Sequence, residues 1–373
     1  MGRSSMRSSK VQNPETETGP GVDATASSPL AKLHKNISKH FNEEELRTLC
    51  SDLDVDYDDL PALGKTNKAR ELVGFMMRTT RIAELVKECR RLRPKVDWQD
   101  ILPSPSTGEA VAVISPPQSK AREPAKSLPF VPEMVHIPAG PFLMGSNPEL
   151  DRDSLQDEMP QHILELPSYS LSKTPITNIQ YSAFVQDTGY TSPIHWTSNE
   201  PPRGKEDHPV VNVSWYDAIA YCCWLSAKSG RAFRLPSEAE WEKGARGQKG
   251  IIYCWGNCWS EGRCNTKEAG KRQTTSVRAY RASSSPYGLL DMLGNVWEWT
   301  RSLWGEQEGE AEFRYEYDPA DGREDEDAPP QVRRVVRGGS AFYPHRLARC
   351  AVRKGGDPSL GRAETGFRIV AAQ

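Results

Sequence analysis

The chain has 373 residues, with 48 Lys and Arg against 50 Asp and Glu, for a net charge of -2. That balance leaves no global field to draw in nucleic acid or a membrane surface, and no run reaches the roughly 18 apolar residues of a membrane-spanning helix. Eight cysteines at irregular spacing, and basic residues near Met1 with no apolar stretch behind them, predict reduced thiols and a cytoplasmic protein rather than a secreted one.

Residues 1–28 are rich in Ser, Thr, Gly and Pro without an apolar pattern and read as disordered. Residues 29–96 read as a small helical bundle. Leu30, Leu33, Ile37 and Phe41 recur at helical spacing. Asn42 and Glu45 stand as a capping pair ahead of a second helix carrying Leu46, Leu49 and Leu53. An acidic loop, Asp54–Asp59, separates it from two more helices, one with Leu72, Val73, Phe75 and Met76, the other with Ile82, Leu85, Val86 and Leu92. The run Phe41-Asn-Glu-Glu-Glu-Leu-Arg-Thr-Leu-Cys50, the acidic loop and Lys68-Ala-Arg-Glu-Leu-Val73 resemble the death-like effector-associated modules of bacterial conflict and signalling proteins. That resemblance implies that residues 30–95 pair with a like module on an effector protein, the acidic loop and the basic last helix offering opposite faces. An ordinary helical cap with solvated charges is the other reading.

Residues 97–130 carry Pro103, Pro105, Pro116, Pro117, Pro124 and Pro129 and read as a semi-extended linker, with Val111-Ala-Val-Ile114 a candidate docking strand. From 131 onward short strands and loops alternate with helices. Thr177 with Gln180, Ser214 with Asp217 and Ser237 with Glu240 set helix starts at 178, 215 and 238. In the second of these, Cys222 reads as a small core residue. Residues 305–331 form an acidic insertion, followed by Arg333, Arg334, Arg337, Arg346, Arg349, Arg353, Lys354, Arg362 and Arg368. The insertion either folds over this basic C-terminal face or stays solvated.

Residues 285–299 organise the domain. Trp297 and Trp299 bring two rings to one side of an extended segment, and Gly294-Asn295 supplies a turn at positive φ. Asp291 and Glu298 can then converge, with the carbonyls of Gly294 and Val296 between them, as hard oxygen ligands suited to Ca2+; a plain turn with solvated acids is the other reading.

This stretch resembles the signature of the formylglycine-generating-enzyme (sulfatase-modifying factor) family. Matching blocks flank it in order at 137–146, 177–184, 208–218, 234–242, 337–340 and 366–368. The resemblance implies an α+β architecture: a C-type lectin-like domain over 131–373, preceded by the small helical bundle. It also implies metal sites. One Ca2+ is expected at Asp291, Gly294, Val296 and Glu298. A second would use Asn265, Thr266 and an acidic residue where Arg278 stands, shortly before Tyr280, so the Arg278 guanidinium is expected to fill that space instead. In catalytic members, two cysteines five residues apart hold copper, which activates O2 to oxidise a substrate cysteine to formylglycine. The second matches Cys350 and the first falls on His345, so the paired thiolates are lost.

Other chemistry is weakly supported. Cys254, Cys258 and Cys264 lack zinc-knuckle spacing, and His136, His162, His195 and His208 are scattered. No Ser-His-Asp, P-loop or dinucleotide-binding pattern is visible. What remains is a surface made of Ala341, Phe342, Tyr343, His345, Leu347, Lys354, Gly355, Gly356, Ser359, Ala363, Glu364 and Thr365. Its layout is similar to the variable proteins of diversity-generating retroelements, where a lectin-type scaffold carries a ligand-binding patch at this end. Phe342, Tyr343 and His345 would give rigid amphipathic contacts. The expected function is recognition of a protein or other macromolecule by residues 341–365, coupled to the N-terminal adaptor, with neither nucleic acid nor membrane as partner. The alternative is a copper-dependent oxidase of a protein cysteine, with Cys350 and His345 as its catalytic residues; a third reading is an accessory or scaffold protein with neither a discrete ligand nor catalysis.

Overall fold

The computed structural model describes residues 29–58, 60, 65–78, 81–96, 98 and 130–371. The expectations for residues 1–28 and for Val111–Ile114 lie outside them.

Four helices form the N-terminal module: α1 (Pro29–His40), α2 (Glu43–Asp52), α3 (Lys65–Arg78) and α4 (Ile82–Leu92). The local signals behind α2 are realised. The Glu45 amide donates to Asn42 Oδ1, and the Glu45 carboxylate accepts from the Asn42 amide, both at 2.9 Å. Leu33, Ile37, Leu46, Leu49, Leu72, Leu85 and Val86 meet in one buried core. The acidic loop is held by a buried cation. Lys68 Nζ donates to the carbonyl oxygens of Tyr57 at 2.7 Å and Leu60 at 2.5 Å, satisfying main-chain groups that a tight loop turns inward. The module also extends past the expected boundary at 96. Trp98 packs into its core, and its indole donates to the Arg93 carbonyl at 2.9 Å.

The C-terminal domain begins with β1 (Met134–Ile137), β2 (Gly140–Met144), β3 (His162–Leu166) and β4 (Tyr169–Ser172). Then come α5 (Asn178–Thr188), α6 (Trp215–Ser229), β5 (Phe233–Arg234) and α7 (Glu238–Arg246). The chain closes with β6 (Trp297–Gly305), β7 (Arg333–Arg337), β8 (Arg353–Gly356), β9 (Thr365–Phe367) and β10 (Val370–Ala371). One sheet has the order β1-β4-β10-β5, a second is the β2-β3 hairpin, and a third has the order β8-β7-β6-β9. All pairings are antiparallel except β6 with β9. The helix starts agree with the sequence: Thr177, Ser214 and Ser237 each cap through a reciprocal box. Cys222 lies in the main core with Tyr181, Trp215, Trp224, Trp297 and Trp299. Helix α1 contacts α5, and α3 contacts α6, so the module sits against the domain's helical side. Among the described residues no helix is long and apolar enough to cross a membrane.

The acidic insertion is folded back. Arg333 pairs with Glu308 at 3.3 Å, and Arg334 Nη1 donates to the carbonyls of Arg301 at 2.8 Å and Asp325 at 2.6 Å. The basic face it was expected to cover is largely absent. Arg334, Arg337, Arg349, Arg353 and Arg368 are at most 2% exposed. Their charges are compensated inside the domain, because a buried guanidinium persists only where carboxylates or carbonyls take its donors.

Candidate functional site

The turn at 291–298 has the backbone expected of it: Gly294 and Asn295 sit at φ 72° and 63°, and Asp291 at 57°. Only hydrogen fits on Gly294, since a Cβ there would lie 2.5 Å from the Asn265 carbonyl oxygen. Trp297 and Trp299 both enter the core, but so does Glu298 between them, because its charge is met by Arg368. Arg368 Nε donates to Glu298 Oε2 at 2.5 Å and Nη2 to Oε1 at 2.9 Å, while the Trp241 indole adds a bond to Oε2 at 2.7 Å. Asp291 accepts from Asn295 Nδ2 at 2.6 Å. Burial, aided by the charge of Glu298, pushes its carboxyl up to about 7 against the opposing pull of Asn295 and Arg368. The residues therefore fit Ca2+ in part. The charge of Glu298 reaches Asp291, but a bound ion would share Glu298 with a guanidinium and would require Asp291 to give up its proton.

The second cation position differs from expectation. Arg278 is exposed and does not fill it. Asn265 Nδ2 donates to the Gln273 carbonyl at 2.9 Å and to Asn295 Oδ1 at 3.1 Å. Among the described residues Asn265 Oδ1 finds no partner and stays buried. Thr266 is buried beside it, and Tyr280 is half-buried.

The residues matched to copper each face something other than one another. The ring Nδ1 of His345 lies 3.1 Å from Glu268, whose carboxylate also accepts from the His345 amide at 3.1 Å. The ring stacks on Trp259 with centroids 4.5 Å apart. Burial opposes ionisation of Glu268, but the polar groups around it, His345 among them, outweigh that and bring the carboxyl down to about 2. Cys350 is 0% exposed, and its sulfur lies 4.0 Å from that of Cys254. Burial, then the hydrogen bond with Cys350, pushes the Cys254 thiol well above its ordinary value. Cys264 is also buried while Cys258 is exposed, and among the described residues no group of three His, Cys, Asp or Glu is arranged to hold a metal. Sequence reasoning missed Glu268, Trp259 and Cys254 as neighbours of these positions. Nothing local signals them, since Glu268 is 77 residues from His345 and Cys254 is 96 from Cys350.

Beneath the 341–365 segment runs a buried ion network. Arg353 grips both oxygens of Glu238 at 2.7 Å. Arg337 donates to Glu238 at 3.1 Å and also to Glu242, which Arg246 holds at 2.7 Å from its other side. Arg349 binds Asp151 at 2.5 Å and Glu158 at 2.6 and 2.7 Å. Arg349 and Arg353 are thus spent on carboxylates rather than on solvent. The network also sorts the expected surface. Ala341, Gly355 and Thr365 are buried, which removes them from any contact with a partner. In Gly355 the reason is the indole beneath: a Cβ would lie 2.5 Å from Trp304. Phe342, Ser359 and Ala363 are exposed, and Tyr343, His345, Leu347, Lys354, Gly356 and Glu364 are partly so.

Fold and site together define a class: an α+β, C-type lectin-like domain whose last segment is held from below by buried ion pairs, preceded by a death-like helical module. The chain belongs to the sulfatase-modifying factor enzyme 1-like domain family, which matches residues 119–373, and residues 33–94 match effector-associated domain 7. It is 34% identical to the serine/threonine-protein kinase Pkn1 of Chlamydia trachomatis, over 66% of this chain but only 39% of that protein. It is 31% identical to the inactive C-alpha-formylglycine-generating enzyme 2 of Mus musculus, over 65% of this chain and 86% of that protein. Among solved structures, Treponema denticola variable protein 1 shares the fold, with a TM-score of 0.50 and 24% identity over 64% of this chain and 95% of its own.

Proposed function

We propose that this is a cytoplasmic recognition protein. Its sulfatase-modifying-factor-like domain presents the exposed part of 341–365, centred on Phe342, His345 and Ser359, to a protein or other macromolecule. The N-terminal module then recruits an effector bearing a like module. The observation that carries the reading is the fate of the copper-matched pair. His345 is bound to Glu268 and Trp259 at the surface, while Cys350 is sealed in the core at 0% exposure. A catalytic copper ion needs ligands that converge and a substrate thiol that can approach them. The family includes a mouse relative whose own name is "inactive".

A second reading has one observation of its own. Cys254 gives Cys350 a sulfur neighbour at 4.0 Å, a thiol pair that His345 does not supply, and two thiolates suit Cu(I). Titration of the reduced chain with Cu(I), paired with oxygen uptake on a cysteine-containing peptide, separates the two. The recognition reading expects weak binding and no uptake. Tight one-to-one binding lost in Cys350→Ser, together with uptake, would overturn it. In parallel, peptide and glycan arrays probed with the wild type and with Phe342→Glu should yield a ligand that only the wild type captures.

A further inference from the structure

An open cavity of about 950 Å³ lies outside the copper-matched positions, between the 155–160 turn, the insertion at 304–314 and β8. Met159 and Trp304 give it apolar wall, and Asp157, Glu308, Glu310, Arg314, Arg353 and Lys354 bring charge to its lining. Four of these charges are committed. Arg353 is bound in parallel to both oxygens of Glu238, Arg314 pairs with Glu310, and Glu308 pairs with Arg333.

The other two are not. Arg353 reaches only the main-chain oxygen of Asp157, at 3.3 Å, and among the described residues no side chain donates to the Asp157 carboxylate. Burial raises the pKa of that carboxyl, against the pull of Arg353, as expected of a charge short of donors. Among the described residues Lys354 has only a neutral partner: its Nζ lies 3.2 Å from the Tyr343 hydroxyl and 5.0 Å from that ring's centroid. Among the described residues the cavity therefore presents a carboxylate with no side-chain donor and an ammonium with no anionic partner. Partly buried charges of this kind are stabilised by a complementary ion brought in with the ligand.

We propose that this cavity binds a dipolar ligand, a free α-amino acid or a short peptide, with Asp157 facing its ammonium and Lys354 its carboxylate. The side chain of the ligand then lies toward Met159 and Trp304. The site shares Lys354 with the 341–365 surface but does not depend on that surface engaging a macromolecule.

The test is titration of the full-length reduced chain with the common amino acids and with di- and tripeptides, followed by the indole ¹⁵N–¹H signal of Trp304, which Trp304→Phe assigns. The expected result is saturable movement of that signal by at least one of them below on the order of 10 mM. Its N-acetyl, C-amide derivative should bind at least about tenfold more weakly. Asp157→Asn and Lys354→Met should each cost about tenfold in affinity while leaving the circular dichroism unchanged. The proposal is overturned if no amino acid or peptide moves the signal, if the capped derivative binds equally well, or if either substitution leaves the affinity as it was.

Discussion

Asp291 offers a quantitative test of how the central turn handles charge. Its carboxyl rises from an ordinary 3.8 to about 7, chiefly through burial. The folded chain therefore holds a proton that the unfolded chain releases above about pH 4, and stability falls as pH rises from there toward 7. At about 1.4 kcal/mol per pH unit the full rise corresponds to a ceiling of about 4 kcal/mol, and the interval from pH 5 to pH 8 spans about 2 to 3 kcal/mol of it. Asp291→Asn isolates the effect. Asn tolerates the positive φ of 57° and still offers an oxygen to the Asn295 amide. Urea unfolding of both proteins in chelator at pH 5, 6, 7 and 8 should show the variant gaining on the wild type by that amount across the series. Parallel curves would refute the reasoning. Adding Ca2+ extends the test. If the turn binds the ion, Ca2+ stabilises the wild type more at pH 8 than at pH 5, because ligation needs the carboxylate, and the variant loses most of that gain. Equal midpoints with Ca2+ and with chelator at pH 8 would remove the site.

Three further outcomes follow from the packing. Glu238→Gln strips the charge that Arg337 and Arg353 both meet and should cost about 3–5 kcal/mol in chemical unfolding, since it leaves buried guanidinium charge uncompensated; a cost below about 1 kcal/mol would mean that the network is hydrated. Gly355→Ala sets a methyl group 2.5 Å from Trp304, so the indole or β8 must shift, at about 1–3 kcal/mol read from the unfolding midpoint. Lys68→Met leaves the carbonyls of Tyr57 and Leu60 without their buried donor, and should speed amide exchange in the acidic loop while costing about 1–3 kcal/mol.

What could be read from the sequence was what residues a few positions apart decide. Four capping boxes, at Asn42, Thr177, Ser214 and Ser237, joined the side chains to main-chain amides three residues away, so the helix starts followed from local chemistry alone. The Gly294-Asn295 turn was equally local. The basic face was misread because a guanidinium gives no sign of its distant partner: Arg349 looks solvent-bound until Asp151 and Glu158 arrive from nearly two hundred positions upstream. The same blindness hid Cys254 beside Cys350 and Glu268 beside His345. Trp98 escaped because prolines in the following stretch set the boundary, while burial, which only the tertiary structure reveals, set the module's edge.

Those long-range pairings carry a consequence for biosynthesis. Glu158, Glu238 and Glu242 leave the ribosome long before Arg337, Arg349 and Arg353, and β10 completes a sheet begun by β1 and β4. Until β7, β8 and β10 emerge, the nascent domain has acidic groups it cannot bury and an open strand edge where β10 belongs. Closure is therefore a late and nearly all-or-none event. A chain stopped short of Arg349 would be left as a collapsed intermediate for chaperones or proteases, not as a smaller working version of the protein.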